Sequence, residues 1–428
     1  MINFRPFVDT KTISKIVIRE TSCYNFRKVV IAVKDKKNNK SFWLLIFLSL
    51  FGLSIGVFDN YRDLWMTTNE ITTLTISHIK SISNVVTVLA LFYFTIKVPT
   101  DKLKKGMTGV LILKMITEVL LILLNGTGRF FVIKFLMFFD IAFTQLILSS
   151  AYPLMMNFAK DDKLYTMKSF AESFFDKMGF LLASILVGKV LFGRVIDYNV
   201  CLMACLMFTF FSFAVLLSIK IDGKSEESSL DVKNSLAYFK DNKVLILYLI
   251  VNFLGSVIWA IILGMPMLTL TENLGFNPQV ASFLILGLGI VSNVFSIVVL
   301  KYLRFENDHI NLIFKFGLRV IIYIVAAITN NPLFLIIAII YLLITNSTHN
   351  FIFGSYFVNK IDEKYSLVLT TLKYCTSLGG DAVGILICGL VFDLSITWMT
   401  LPAAVLGVIH YILASILVAR KKSFGEQN

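Results

Sequence analysis

Long apolar runs separated by short polar segments dominate the chain, the pattern of a polypeptide that crosses lipid repeatedly. A hydrocarbon core about 30 Å thick is spanned by about 20 apolar residues at about 1.5 Å of helical rise each. Runs of that order lie at 42–66, 74–96, 107–125, 129–158, 164–193 and 197–219, and again at 244–270, 279–301, 308–329, 332–358, 365–393 and 396–420. The pattern predicts an all-α membrane protein with twelve transmembrane helices. Spans longer than the minimum are expected to tilt or kink.

The one long interior polar stretch, "KIDGKSEESSLDVKNSLAYFKDNK" at 220–243, splits the apolar chain into near-equal halves. The expected organisation is a basic cytoplasmic segment 1–41, a six-helix bundle 42–219, a cytoplasmic linker 220–243, a second six-helix bundle 244–420 and a short cytoplasmic tail 421–428. "KDDKLY" at 160–165 and "KIDEKY" at 360–365 precede the fifth and eleventh runs. At the same offset Gly179 meets Gly379, Ile185 meets Ile385, Leu186 meets Leu386 and Phe192 meets Phe392. These matches point to duplication. Two six-span units arranged as parallel repeats would place a substrate site between them near the bilayer midplane.

Composition sharpens this picture. Only 16% of the 428 residues are charged, mean hydropathy is +0.79 and 39 residues are Phe, so lipid rather than water is expected to cover most of the surface. The formal net charge of +13 would suggest nucleic acid in a soluble protein, but the cations sit where loops meet an anionic leaflet. Lys34, Lys36, Lys37 and Lys40 precede the first run, and Arg420, Lys421 and Lys422 follow the last, whereas the alternate segments carry only Arg129 and Arg194. That asymmetry predicts both termini on the cytoplasmic side of a plasma membrane, expected to be bacterial, and no nucleic-acid partner. No cleavable signal peptide is expected.

Other chemistries lack their residues. The five cysteines have neither CxxC nor metal spacing, "GKS" at 223–225 has Ser218 where a phosphate loop needs Gly, and no HExxH or GxSxG occurs. No enzyme activity, metal or cofactor is expected. The sequons at Asn125 and Asn346 are read as accidental, one in a very short loop and one in the membrane.

The segment "KVPTDKLKKGMTG" at 97–109 joins the second and third runs. With twelve spans, two halves and a central cytoplasmic loop, the chain resembles the major facilitator superfamily along nearly its full length. That family carries a Gly-x-x-x-Asp-Arg-x-Gly-Arg-Arg pattern at this position. Asp101 matches its Asp, Lys102 stands for its Arg, and Lys104 and Lys105 approximate its basic pair, while Lys97 replaces the leading Gly. The resemblance implies that Asp101, Lys102, Lys104 and Lys105 belong to a loop that helps hold the halves together on the cytoplasmic side. It also implies that the first, fourth, seventh and tenth helices line a central cavity, and that the second and eleventh face one another.

Ionisable residues at bilayer depth cost several kcal/mol unless paired or wet, so they are candidates for function. Asp59 and Arg62 are spaced to meet on one face of the first helix, about 10 Å from its outer end. Asp140 of the fourth run has a similar depth, so an Arg62 flanked by Asp59 and Asp140 would suit a charged substrate or a proton switch. Glu172 and Asp176 share a face of the fifth run, where like charges favour protonation of one. Asp381 follows Gly379 and Gly380 on the eleventh run at the depth of Asn84 and near that of Lys80, which suggests an Asp381–Lys80 contact in one transport state. His349 lies beside Asn346 and Asn350 on the tenth run. Lys114 and Glu118 read as a structural pair on the third, and Lys315 and Arg319 on the ninth have no evident partner.

The expected function is secondary transport of a small solute by alternating access, with possible proton coupling and an anionic or zwitterionic substrate, by a monomer in the lipid bilayer. Efflux of lipophilic compounds is the alternative within transport. A scaffold, sensor or lipid-modifying protein of the same fold is the alternative outside it.

Overall fold

The computed structural model describes residues 39–97, 100–156, 198–219, 232–302, 312–349, 361 and 363–427, together with the isolated positions 175, 178, 179, 182 and 357. Among them the chain forms helices and no strand. In order these are α1 (Asn39–Thr68), α2 (Thr73–Lys97), α3 (Thr100–Leu124), α4 (Phe130–Met156), α5 (Tyr198–Ser218), α6 (Val232–Asp241), α7 (Lys243–Leu263), α8 (Pro278–Tyr302), α9 (Leu318–Thr329), α10 (Pro332–His349), α11 (Glu363–Val391) and α12 (Ile396–Gln427). Apart from the isolated positions 175, 178, 179 and 182, the fifth predicted span, 164–193, with Glu172 and Asp176, lies outside the described residues.

Among the described residues eight helices are long and apolar enough to cross a membrane, and two shorter apolar stretches, Val280–Val291 and Pro332–Leu343, fall at the eighth and tenth predicted spans. Their outward faces are apolar: Phe131 is 82% exposed and Ile328 78%. Apolar surface of that extent belongs against lipid. The chain is an integral, multi-pass helical membrane protein.

Close packing runs through α1 against α5, α2 against α11, and α11 against α7. Small residues on α11 make this possible. A Cβ at Gly380 or Gly384 would run into the backbone of α7 at Phe253 and Val257, and one at Gly389 would run into Ser77 of α2. One continuous apolar core therefore includes Val57 and Trp65 of α1, Ile258 and Ile261 of α7, and Cys388 of α11.

Local chemistry shifts several expected boundaries. The seventh run is not one straight helix: α7 stops at Leu263, and Met265 takes an extended φ of −137° before Pro266 opens a further short turn and a wide turn over Thr269–Asn273. Proline disfavours the helical conformation in the residue before it. The segment 97–109, expected as a loop, is already helical from Thr100. The polar linker contains α6, whose Phe239 is buried and whose Tyr238 stacks on Tyr365 of α11 at 4.3 Å between ring centroids.

Candidate functional site

Helices α1, α3, α4 and α5 bury an ionic network. Arg62 of α1 donates to the Asp59 carboxylate one turn earlier and, from Nη2, to Asp140 Oδ2 of α4 at 3.2 Å. The other oxygen of Asp140 receives Lys114 Nζ of α3 at 2.6 Å. Lys114 also reaches Glu118 Oε1, one turn further along α3, at 3.0 Å. That oxygen accepts from Thr209 Oγ1 at 3.1 Å and Cys205 Sγ at 3.2 Å, both on α5. Ser54 of α1 lies 2.7 Å from Thr209 Oγ1 and returns the network to the helix where it began.

Arg62, Lys114, Glu118 and Asp140 are buried, and the Asp59 side chain, 24% exposed, is the open end. Two cations face three carboxylates. Arg62 Nε and Glu118 Oε2 have no hydrogen-bond partner among the described residues. An uncompensated charge in such a place costs several kcal/mol, so the arrangement favours one more positive charge.

A second pair sits nearer the end of α1. Lys80 Nζ of α2 lies 2.6 Å from Asp63 Oδ2 and donates to the Gly264 carbonyl, at the C-terminus of α7, at 2.9 Å. Helix C-terminal carbonyls attract cations. Lys80 therefore ties α1 and α2 to α7.

The structure brings Arg62 to both Asp59 and Asp140. Lys114 and Glu118 form their expected pair, and Asp140 joins it to Arg62. The expected Asp381–Lys80 contact is not formed, because Lys80 is turned to Asp63 and Gly264. Asp381 is half-buried on α11 and forms no ion pair among the described residues. Asn84 is buried on α2, and His349 is the last residue of α10.

In the family-like segment Lys102 and Lys105 are exposed, and Asp101 lies in the first turn of α3. Lys104 donates to the Leu217 carbonyl at 3.1 Å and to that of Ile219, at the end of α5. That contact fastens α3 to the end of α5. Asn125 accepts from Trp65 Nε1 at 2.9 Å and donates to Asn199 at 2.8 Å, which gives its side chain a packing role.

Helical spacing alone does not mark Asp63 as a site residue, and it presents Lys114 and Glu118 as a separate structural pair. The available signal was depth: Lys114 and Asp140 lie near mid-span on adjoining runs.

No family model matches the chain and no curated protein matches it by sequence. Solved structures do match in three dimensions. A variant of the nucleoside transporter NupG superimposes with a TM-score of 0.59 at 15% identity, covering 90% of this chain and 99% of that one. The human organic anion transporter TETRAN gives 0.56 at 11% identity over 89% and 100% of the two chains. The E. coli fucose:proton symporter FucP gives 0.55 at 13% identity over 87% and 98%. The fold is that of the major facilitator transporters.

Proposed function

We propose that the chain is a secondary active transporter that moves a small anionic or zwitterionic solute by alternating access and couples the movement to protons. The observation that carries this reading is the excess of one carboxylate in the buried Arg62–Asp59–Asp140–Lys114–Glu118 network. With all three acids ionised the network would hold an uncompensated charge away from water. A proton shared among the carboxylates removes that cost.

Asp59 is the least buried member of the network and the natural place for exchange. An anionic group entering beside Arg62 would compete with Asp59 for the guanidinium. Asp59, deprived of its cation, would then favour the protonated form. Solute and proton would thus enter together. The Lys80 contact with Gly264 supports a gate at that end of the bundle, since separation of α2 from α7 breaks it. The fold shared with known transporters agrees with this reading.

The test is uptake by proteoliposomes under an imposed pH gradient, screened across nucleosides, sugars, organic anions and amino acids. The expected result is gradient-driven accumulation of an organic anion or an amino acid by the native protein, and accumulation of sugars or nucleosides alone would reject the charged-solute reading. Glu118→Gln, which balances the network without a proton, should retain solute exchange but lose accumulation. Accumulation unchanged in Glu118→Gln and Asp59→Asn would reject the coupling role. A folded protein that moves none of these solutes would reject transport of these classes.

A further inference from the structure

The ninth helix carries a second buried charge cluster with the opposite imbalance. Lys315 lies on a wide helical turn, Ile313–Gly317, and Arg319 follows four residues later on the first turn of α9. Wide turns of this kind recur at functional sites. Lys315 is 2% exposed and Arg319 6%, yet neither forms an ion pair among the described residues. Among the described residues Lys315 Nζ has no hydrogen-bond partner, and Arg319 uses Nη2 on Thr345 Oγ1 at 2.8 Å while its Nε has none. The buried Tyr323 hydroxyl, one turn beyond Arg319, is likewise unpartnered. His410 of α12 packs edge-on against Phe316 and lies within electrostatic reach of both cations.

The comparison with α3 is informative. Lys114, Glu118, Asp140 and Thr209 become Lys315, Arg319, Tyr341 and His410 at one common offset of 201 residues. The packing is also alike: α3 lies against α4 and α5, and α9 lies against α10 and α12. In the first set Lys114 is neutralised by Glu118 and Asp140. In the second, the two carboxylate positions hold Arg319 and Tyr341. The same kind of pocket has exchanged its internal counter-charges for hydrogen-bond donors.

We propose that Lys315 and Arg319 form a binding site for an oxyanion, a phosphate or carboxylate group, with the Tyr323 hydroxyl as a third donor. Guanidinium and ammonium donors make their strongest hydrogen bonds to such groups. The anion comes either from a small molecule in water or from an anionic lipid headgroup. For the latter, an apolar groove of about 650 Å³ between α9 and α12, walled by Ile313, Phe314, Leu318 and Val408, opens on the wide turn that carries Lys315. The site is defined by binding and stands apart from whether or what the protein transports.

Thermal unfolding of the full chain tests it. In neutral detergent, inorganic phosphate should raise Tm saturably while chloride at matched ionic strength does not, because a ligand bound only to the folded state stabilises it. That result identifies a water-borne anion. Stabilisation seen only in phosphatidylcholine vesicles that also contain phosphatidylglycerol identifies the headgroup. Lys315→Gln should lose the response. Arg319→Glu should rebuild the internal pair seen between Lys114 and Glu118, giving a protein that is indifferent to both probes and at least as stable without them. Absence of saturable stabilisation of the native protein by either probe overturns the proposal, as does an undiminished response in Arg319→Glu.

Discussion

Lys114 Nζ and Asp140 Oδ1 lie 2.6 Å apart on neighbouring helices, both side chains 2% exposed, while Arg62 holds the other oxygen of the same carboxylate. Asp140 is therefore the hinge of the network, shared by a cation from α1 and one from α3. A pair this short and dry gains much from its attraction, but only part of that gain survives desolvation. What the geometry fixes more firmly is the cost of removing one partner.

Lys114→Met leaves Arg62 as the one cation against three carboxylates. It should lower stability by about 3–5 kcal/mol, the usual cost of breaking a buried pair. Adding Glu118→Gln restores the native imbalance of one carboxylate, so the double variant should regain most of the loss. Denaturation of the purified protein in detergent checks both. A double variant as unstable as the single one would show that packing, not charge, is what Lys114 contributes.

Lys80 holds α2 to α7 through the Gly264 carbonyl. Lys80→Met should loosen this end of the bundle. Cys388 is fully buried on α11 close to Lys80, so its maleimide labelling reports the opening. In a background with Cys388 as the sole cysteine, labelling should become faster in Lys80→Met than in the parent. Equal rates would mean that the contact does not restrain the helices.

Gly389 of α11 meets Ser77 of α2 so closely that a methyl group there overlaps the hydroxyl side chain. Gly389→Ala should cost about 1–3 kcal/mol, the range for overpacking. Ser77→Gly in the same protein should recover that cost, since it removes the obstructing atoms. Thermal unfolding of the two single variants and the double distinguishes this steric coupling from a simple preference for glycine.

The stack of Tyr238 on Tyr365 joins the linker helix α6 to the start of α11. Aromatic pairs contribute about 0.5–1.5 kcal/mol beyond the area they bury. Tyr238→Ala should therefore release α6 before the bundle itself loosens. Limited proteolysis should cut within 232–241 faster than in the native protein, with little change in Tm.

The places where sequence reasoning reached the structure, and those where it did not, divide along one line. Asp59 and Arg62 are one turn apart on a single helix, and their contact follows from helical spacing. Lys114 and Glu118 are the same case. Asp140 was found near Arg62 because counting rise from the ends of two runs compares depth. Depth says nothing about rotation, so it does not reveal that α2 turns Lys80 toward Asp63 and Gly264 in this state. Charges commonly mark loops, so the basic segment after Lys97 reads as a loop, yet the chain from Thr100 is the opening of α3, and Lys104 caps the end of α5.

The order of apolar and polar residues alone determined that the chain lives in lipid, roughly where its helices start and stop, and which charges lie at bilayer depth. Those properties depend on transfer from water and on hydrogen bonding within one helix, both of which are local. Only the tertiary structure decided which buried charges meet, that Asp140 links Arg62 to Lys114, and that Lys315 and Arg319 lie buried without an ion pair among the described residues. Side chains on different helices meet according to the rotation and closeness of packed surfaces. Those are set by shape across the whole bundle, through contacts such as Gly389 on Ser77, and no periodicity along one helix encodes them.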